Sequence, residues 1–282
     1  MYEALQLLTG TLAMLPSAAL TLAGAIKKET LKADKTPIEP TLTDGNEQFG
    51  MDDLSSEPAR REVIAVVPLF GALSPHGEFG RTRTTAYSKL IQQLDASESV
   101  GTIITHVNSP GGTVWGTEEA ANTLYAITQA GRTNTITVAS PQMASAATWI
   151  GVASGQVVIT PSGEAGSIGV ISMYQDWSAW LESVGIKIDI TRAPANKARY
   201  SGIEPMTEDM KARTEELVAA DYEKFKTWMA KARGIKKSEV EGRFGGGEMM
   251  QAEDAKSAGL VDRVATLDEV INGVATKIKR RN

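Results

Sequence analysis

Apolar residues along the chain fall in short dense runs separated by amphipathic stretches. Glu62–Phe70 (EVIAVVPLF) and Val100–Val107 (VGTIITHV) are rich in Val and Ile and read as buried strands. Thr135–Ala139, Gln156–Thr160, Ile168–Ser172, Ile186–Thr191 and Leu260–Ala265 add further short strands. Between them, Ala86–Leu94, Trp115–Ala130, Met143–Ala153 and Trp177–Val184 carry helical spacing, and Gly80–Thr85 reads as a loop. Glu208–Arg233 is the longest predicted helix. Thr207 is its N-cap, Glu208 and Asp209 suit its positive end, and Lys231, Arg233 and Gly234 stop it. A short helix over Ala252–Ala258 ends at Gly259, and a last helix starts at Leu267. Strand–helix alternation of this kind predicts an α/β fold with a mostly parallel sheet and crossover helices.

Upstream of Glu62 the pattern changes. Residues 4–26 carry no charge, enough to span a bilayer by length, but Pro16 and several polar residues dilute the run. Soluble or surface-docked helices are therefore expected over 1–28 in preference to a span; no basic residue precedes the run, as a signal peptide would require. Residues 29–60, polar and dotted with Pro37, Pro40, Gly45, Gly50 and Pro58, read as a linker with little core to bury. A domain over 61–275 follows, then a basic tail over 276–282 read as a solvated helix end.

Composition narrows the chemistry. The 282 residues include no Cys and two His, so disulfides, a cysteine nucleophile and Cys-ligated zinc are excluded, and a multi-histidine metal site nearly so. A net charge of −5 gives no reason to expect a nucleic-acid partner. Ser109-Pro110-Gly111-Gly112 closes a strand and opens a helix, the setting of an oxyanion hole with Gly111 or Gly112 as donor, or of a tight turn. The loop is too short for a phosphate-binding loop and lacks its lysine. Ser145, flanked by Ala144, Ala146 and Ala147, sits at a strand-to-helix junction. It is a candidate nucleophile with the Ala146 N–H as second donor, or a packing serine among small residues. A serine needs a base. His106 reads as an ordinary strand residue and His76 lies in a loop far upstream. Lys197 sits in a loop free of acidic residues. Bringing a lysine from about 10.4 to about 7 costs roughly 4–5 kcal/mol and needs an apolar pocket.

The order Ser109-Pro110-Gly111-Gly112, Ser145, Gly166-Ser167-Ile168-Gly169-Val170-Ile171, Lys197, then a long helix and Gly259-Leu260-Val261-Asp262, resembles peptidase family S49 over roughly residues 62–270. The resemblance implies a ClpP/crotonase-like fold of repeated βαβ units with a helical C-terminal region. It implies a Ser145–Lys197 dyad, with Ser167 orienting the lysine. No cofactor and no metal are implied. Substrate is expected to add a strand at Ile168, Gly169 and Val170, with small or apolar side chains before the cut. Activity is expected to rise with pH as the lysine deprotonates.

Within the family the chain is most similar to phage and prophage head peptidases. That implies a protein or peptide substrate, a homo-oligomer, and capsid, portal or scaffold partners in a host cytoplasm or prohead. Departures stand beside it: Ala147-Thr148-Trp149 replaces a Gly-Tyr pattern, and Pro194-Ala195-Asn196 stands where a glycine is usual, which bears on the register of the lysine loop. Alternative readings are a membrane-associated signal-peptide peptidase, an acyl-CoA enzyme of the crotonase type, and a catalytically silent assembly protein.

Overall fold

A computed structural model describes residues 11–14, 38–44, 48–49, 63–77 and 82–280. Its strands are β1 (Thr11–Met14), β2 (Thr41–Thr43), β3 (Gln48–Phe49), β4 (Val63–Phe70), β5 (Leu73–Ser74), β6 (Thr82–Arg83), β7 (Val100–Ser109), β8 (Gly111–Thr113), β9 (Asn134–Ala144), β10 (Gln156–Ile159), β11 (Glu164–Gly166), β12 (Ile171–Ser172), β13 (Met249–Gln251) and β14 (Arg263–Val264). Its α-helices are α1 (Thr84–Ala96), α2 (Thr117–Ala130), α3 (Ala146–Gly151), α4 (Ser178–Ser183), α5 (Glu208–Arg233), α6 (Val240–Arg243), α7 (Ala252–Ser257) and α8 (Leu267–Lys279).

The main sheet runs β13-β11-β9-β7-β4-β2-β3, with β10 on β9 and β14 on β10. Its centre is parallel: β4 with β7, β7 with β9, and β9 with both β10 and β11. Parallel strands need crossovers, which α1 and α2 supply on one face; with α8 on the other, the strands are covered on both faces and are apolar nearly throughout. On one face α1, α2, α3 and α5 pack over Val67, Leu69, Ile103 and Val107. On the other, α8 covers Ile64, Val66, Ile104, Ile136 and Val158. The α/β class with repeated strand–helix–strand units and a helical C-terminal region is what the chain adopts.

Helix termini follow the expected chemistry. The Thr207 hydroxyl accepts from the Met210 N–H, and Gly234 ends α5 with φ of 65°. The Thr266 hydroxyl and Glu269 carboxylate form a reciprocal cap at the start of α8, which runs on to Lys279, so most of the basic tail is helix.

Six expectations are corrected. The loop expected over Gly80–Thr85 holds β6 at Thr82–Arg83 and the first residues of α1. Gly111 and Gly112, expected to open a helix, lie in β8, and α2 starts at Thr117. Within the segment expected to be helical, Thr11–Met14 is a strand; the rest of 1–28 lies outside the described residues. Part of the expected linker joins the sheet: β2 pairs antiparallel with β4 and fully buries Leu42. The strand expected over Ile168–Ser172 is confined to Ile171–Ser172. The alternating run Ile186–Thr191 forms no strand, and Ile186 and Ile188 are exposed.

A second, smaller sheet, ordered β12-β1-β8-β5-β6, lies where β7 ends. A register irregularity between Val107 and Ser109 breaks the main ladder there, and Ser109 pairs instead with Met143. The same extension carries β9 beyond Ala139 to Ala144, so the Gly111–Gly112 loop and Ser145 are delivered by neighbouring strands.

Candidate active site

Ser145 stands between β9 and α3 with φ of 54° and ψ of −115°, a left-handed-side conformation costing a non-glycine residue about 1–3 kcal/mol. Tight surroundings hold it. Its N–H donates to the Gly166 carbonyl at 2.8 Å, and its own carbonyl accepts from the Trp149 N–H at 2.9 Å. The Thr148 hydroxyl reaches the Met143 carbonyl at 2.7 Å and the Gly166 carbonyl at 3.0 Å. Every residue of α3 is buried. Trp149 stacks on Phe225 of α5 with ring centroids 4.4 Å apart, and the Trp228 indole N–H donates to the Trp149 carbonyl at 2.8 Å. A strained strand-to-helix turn that presents a serine hydroxyl is a recurrent nucleophile geometry.

Ser145 is 1% exposed, and its hydroxyl donates to the Gly169 carbonyl at 3.4 Å. Gly166-Ser167-Ile168-Gly169 therefore wraps the serine. Ser167 also has positive φ, 52°, and its N–H donates to the Glu248 carbonyl at 2.8 Å. A Cβ on Gly166 would lie 2.5 Å from that same carbonyl, which explains the glycine.

The two expected oxyanion glycines sit side by side in β8. The Gly111 N–H is already engaged by the Ser109 hydroxyl at 3.1 Å, which in turn donates to the Gly71 carbonyl at 2.6 Å. Gly111 has φ of 97°, and Gly112 lies opposite Ala13 of β1 and Leu73 of β5. Gly112 must be glycine because a Cβ would lie 2.0 Å from the Leu73 carbonyl oxygen. Ala146 opens α3, where N–H groups have no partner within the helix.

Among the described residues no apolar pocket encloses Lys197. It is exposed, within a long excursion in which no residue from Ile171 to Ser201 is buried. That excursion also exposes Trp180, Val184, Ile186 and Ile188. Ile168, Gly169 and Val170 line a groove of about 720 Å³ together with Tyr222 and a second lysine, Lys211. His106 packs edge-on to Phe70 at 4.9 Å, and burial holds its imidazole below the usual histidine range.

The model of peptidase family S49 matches residues 130–280. The chain belongs to that family. It is 26% identical over 185 residues to the putative protease MJ0651 of Methanocaldococcus jannaschii, covering 66% of this chain and 58% of that protein. It is 23% identical over 220 residues to the head-tail preconnector protein GP5 of Enterobacteria phage P21, covering 76% of this chain and 43% of that one. The chain thus spans only about half the length of these relatives. Among solved structures it is similar to a mutant of ClpP1 from Listeria monocytogenes, with a TM-score of 0.47 and 15% identity over 76% of this chain and 95% of that one.

Trp228 and Phe225 of α5 clamp the serine helix from one side. Asp262 accepts from the buried Val157 N–H at 2.7 Å and pairs with Arg233 at 2.5 Å, tying α5 to β10. Among the described residues no helix is long and apolar enough to cross a membrane.

Proposed function

We propose that the chain is a serine endopeptidase in which Ser145 is the nucleophile. The observation that carries this reading is the strained, fully supported backbone of Ser145 beside the Gly112 loop, in a chain of a peptidase family. Ser145 attacks a peptide carbonyl. The N–H groups of Gly112 and Ala146 hold the oxyanion, and a lysine takes the serine proton and returns it to the leaving amine. Water then resolves the acyl-enzyme.

The lysine is Lys197, supplied by a neighbouring copy in a homo-oligomer. What supports this is its exposure on an excursion with no buried residue that displays four large apolar side chains. Contact with a second copy would desolvate the amine, as a base requires. Ser167, within the segment that wraps the serine, orients the amine in this reading. Lys211 is the rival base, because it lines the same groove as Gly169. The likeness to a phage head-tail preconnector protein favours a substrate among head-assembly proteins, scaffold or portal components, in the host cytoplasm or prohead.

Peptide cleavage by Ser145→Ala and Lys197→Ala tests the dyad; each is expected to lose at least about a thousandfold. Mixing the two variants in equal amounts restores about a quarter of wild-type activity if each site draws on two copies and assembly is random. Full activity in Lys197→Ala with loss in Lys211→Ala transfers the base to Lys211. Full activity in Ser145→Ala defeats the reading altogether.

A further inference from the structure

The strand β1 does not pair with its neighbours in sequence. It inserts antiparallel between β8 and β12, with Leu12 opposite Thr113, Ala13 opposite Gly112 and Met14 opposite Gly111 on one side. On the other side Thr11 lies opposite Ser172 and Leu12 opposite Ile171. In this sheet β8 and β12 are joined only through β1. Removing it leaves a slot one strand wide, with the two edges about 9–10 Å apart. The proposed oxyanion donor Gly112 is on one edge. Gly169, whose carbonyl meets the Ser145 hydroxyl, lies two residues before the other. The segment also has a substrate's character: Thr11-Leu12-Ala13-Met14 is uncharged, with three apolar residues in a row, and it runs antiparallel to β8 toward Gly111.

Resting on the peptidase reading above, we infer that the first substrate of this enzyme is its own chain, with β1 occupying the substrate slot and being cut within or immediately after Thr11–Met14. The Ser145 oxygen bonds to a carbonyl carbon of the segment as the C–N bond breaks. The new amine takes the proton removed from the serine. Water then hydrolyses the ester, leaving a carboxylate on the upstream fragment and restoring the hydroxyl. Until that happens the tethered strand acts at an effective concentration on the order of millimolar, so a peptide in solution competes poorly for the slot.

The test uses full-length protein. Intact mass and N-terminal sequencing over time should show wild type losing a fragment that ends within or just after Thr11–Met14, while Ser145→Ala stays whole. Wild type should hydrolyse an added apolar peptide only after a lag, and Ala13→Pro, which removes a ladder donor from the strand, should show no lag. In the uncut Ser145→Ala background, adding Ala13→Pro should speed amide exchange at Gly111–Thr113 and Ile171–Ser172 at least about tenfold. Wild type that cleaves the added peptide through Ser145 but keeps its own segment whole overturns this inference and leaves the peptidase reading standing. Unchanged exchange overturns it as well. Wild type that cuts neither peptide nor itself sinks both.

Discussion

Gly112→Ala places a methyl group where the structure has none to spare. The added Cβ would stand 2.0 Å from the Leu73 carbonyl oxygen, 2.6 Å from its carbonyl carbon and 2.7 Å from its Cα, all main-chain atoms. Ordinary contact begins at 3.4 Å, so the approach to the oxygen is about 1.4 Å too close and no side-chain rotation relieves it. Either β5 or β8 must move by more than 1 Å. Overpacking of this kind costs about 1–3 kcal/mol in stability. The functional cost is larger: a displacement near 1 Å at an oxyanion donor loses about a hundredfold in rate, and outright loss of one donor loses about 100–1,000-fold in kcat. The assay is peptide hydrolysis at a temperature where urea melts show each variant folded. Gly131→Ala is the control. It has φ of 65° with nothing within 4 Å of its Cβ, so it should cost about 1–2 kcal/mol through backbone strain alone and leave kcat intact. Gly112→Ala that folds and retains wild-type kcat would refute the placement of the oxyanion donor.

Trp228→Phe removes the indole donor to the Trp149 carbonyl at 2.8 Å and should lower stability by about 1–2 kcal/mol in urea melts, with a smaller fall in kcat as α3 loosens. Asp262→Ala leaves the buried Val157 N–H without its acceptor and Arg233 without its partner; about 1–2 kcal/mol is expected after allowing for the half-exposed carboxylate. Burial lowers the pKa of His106 from its usual 6.5, so its contribution to stability is present above about pH 6.5 and fades as pH falls toward the depressed folded value. Melts between pH 7 and 5 should show that slope, at most about 1.4 kcal/mol per pH unit, and His106→Gln should flatten it. Glu223, held near 2 by Lys226 and Lys237, does not titrate in that window.

The buried strands and capped helices were legible because their signals are local. The Val- and Ile-rich runs of β4 and β7 are covered on both faces, and Thr207 and Gly234 bound α5 with side-chain and backbone chemistry that needs no distant partner. What the sequence hid depends on pairing. Thr11–Met14 sits in an uncharged stretch whose length suits a helix, yet its hydrogen bonds lie about 100 and 160 residues downstream, in β8 and β12. Leu42 lies among turn-forming residues and is buried only because β4 has a free edge. Ile186–Thr191 alternates as a strand should, but alternation reports one apolar face and says nothing of what covers it; here Ile186 and Ile188 stay exposed among the described residues. The candidate site divides the same way. Ser145 was readable from its strand-to-helix setting, whereas Gly111 and Gly112, expected to open a helix, lie in the short strand β8, and α2 begins only at Thr117. Lys197 could be picked out in sequence, but its exposure is a property of the folded single chain.

The most direct measurement of the central claim is the steady-state hydrolysis of an apolar peptide by Ser145→Ala, beside wild type of equal thermal stability. The account predicts folded protein whose kcat/KM is lower by at least about a thousandfold. Cleavage at the wild-type rate by the alanine variant would contradict it.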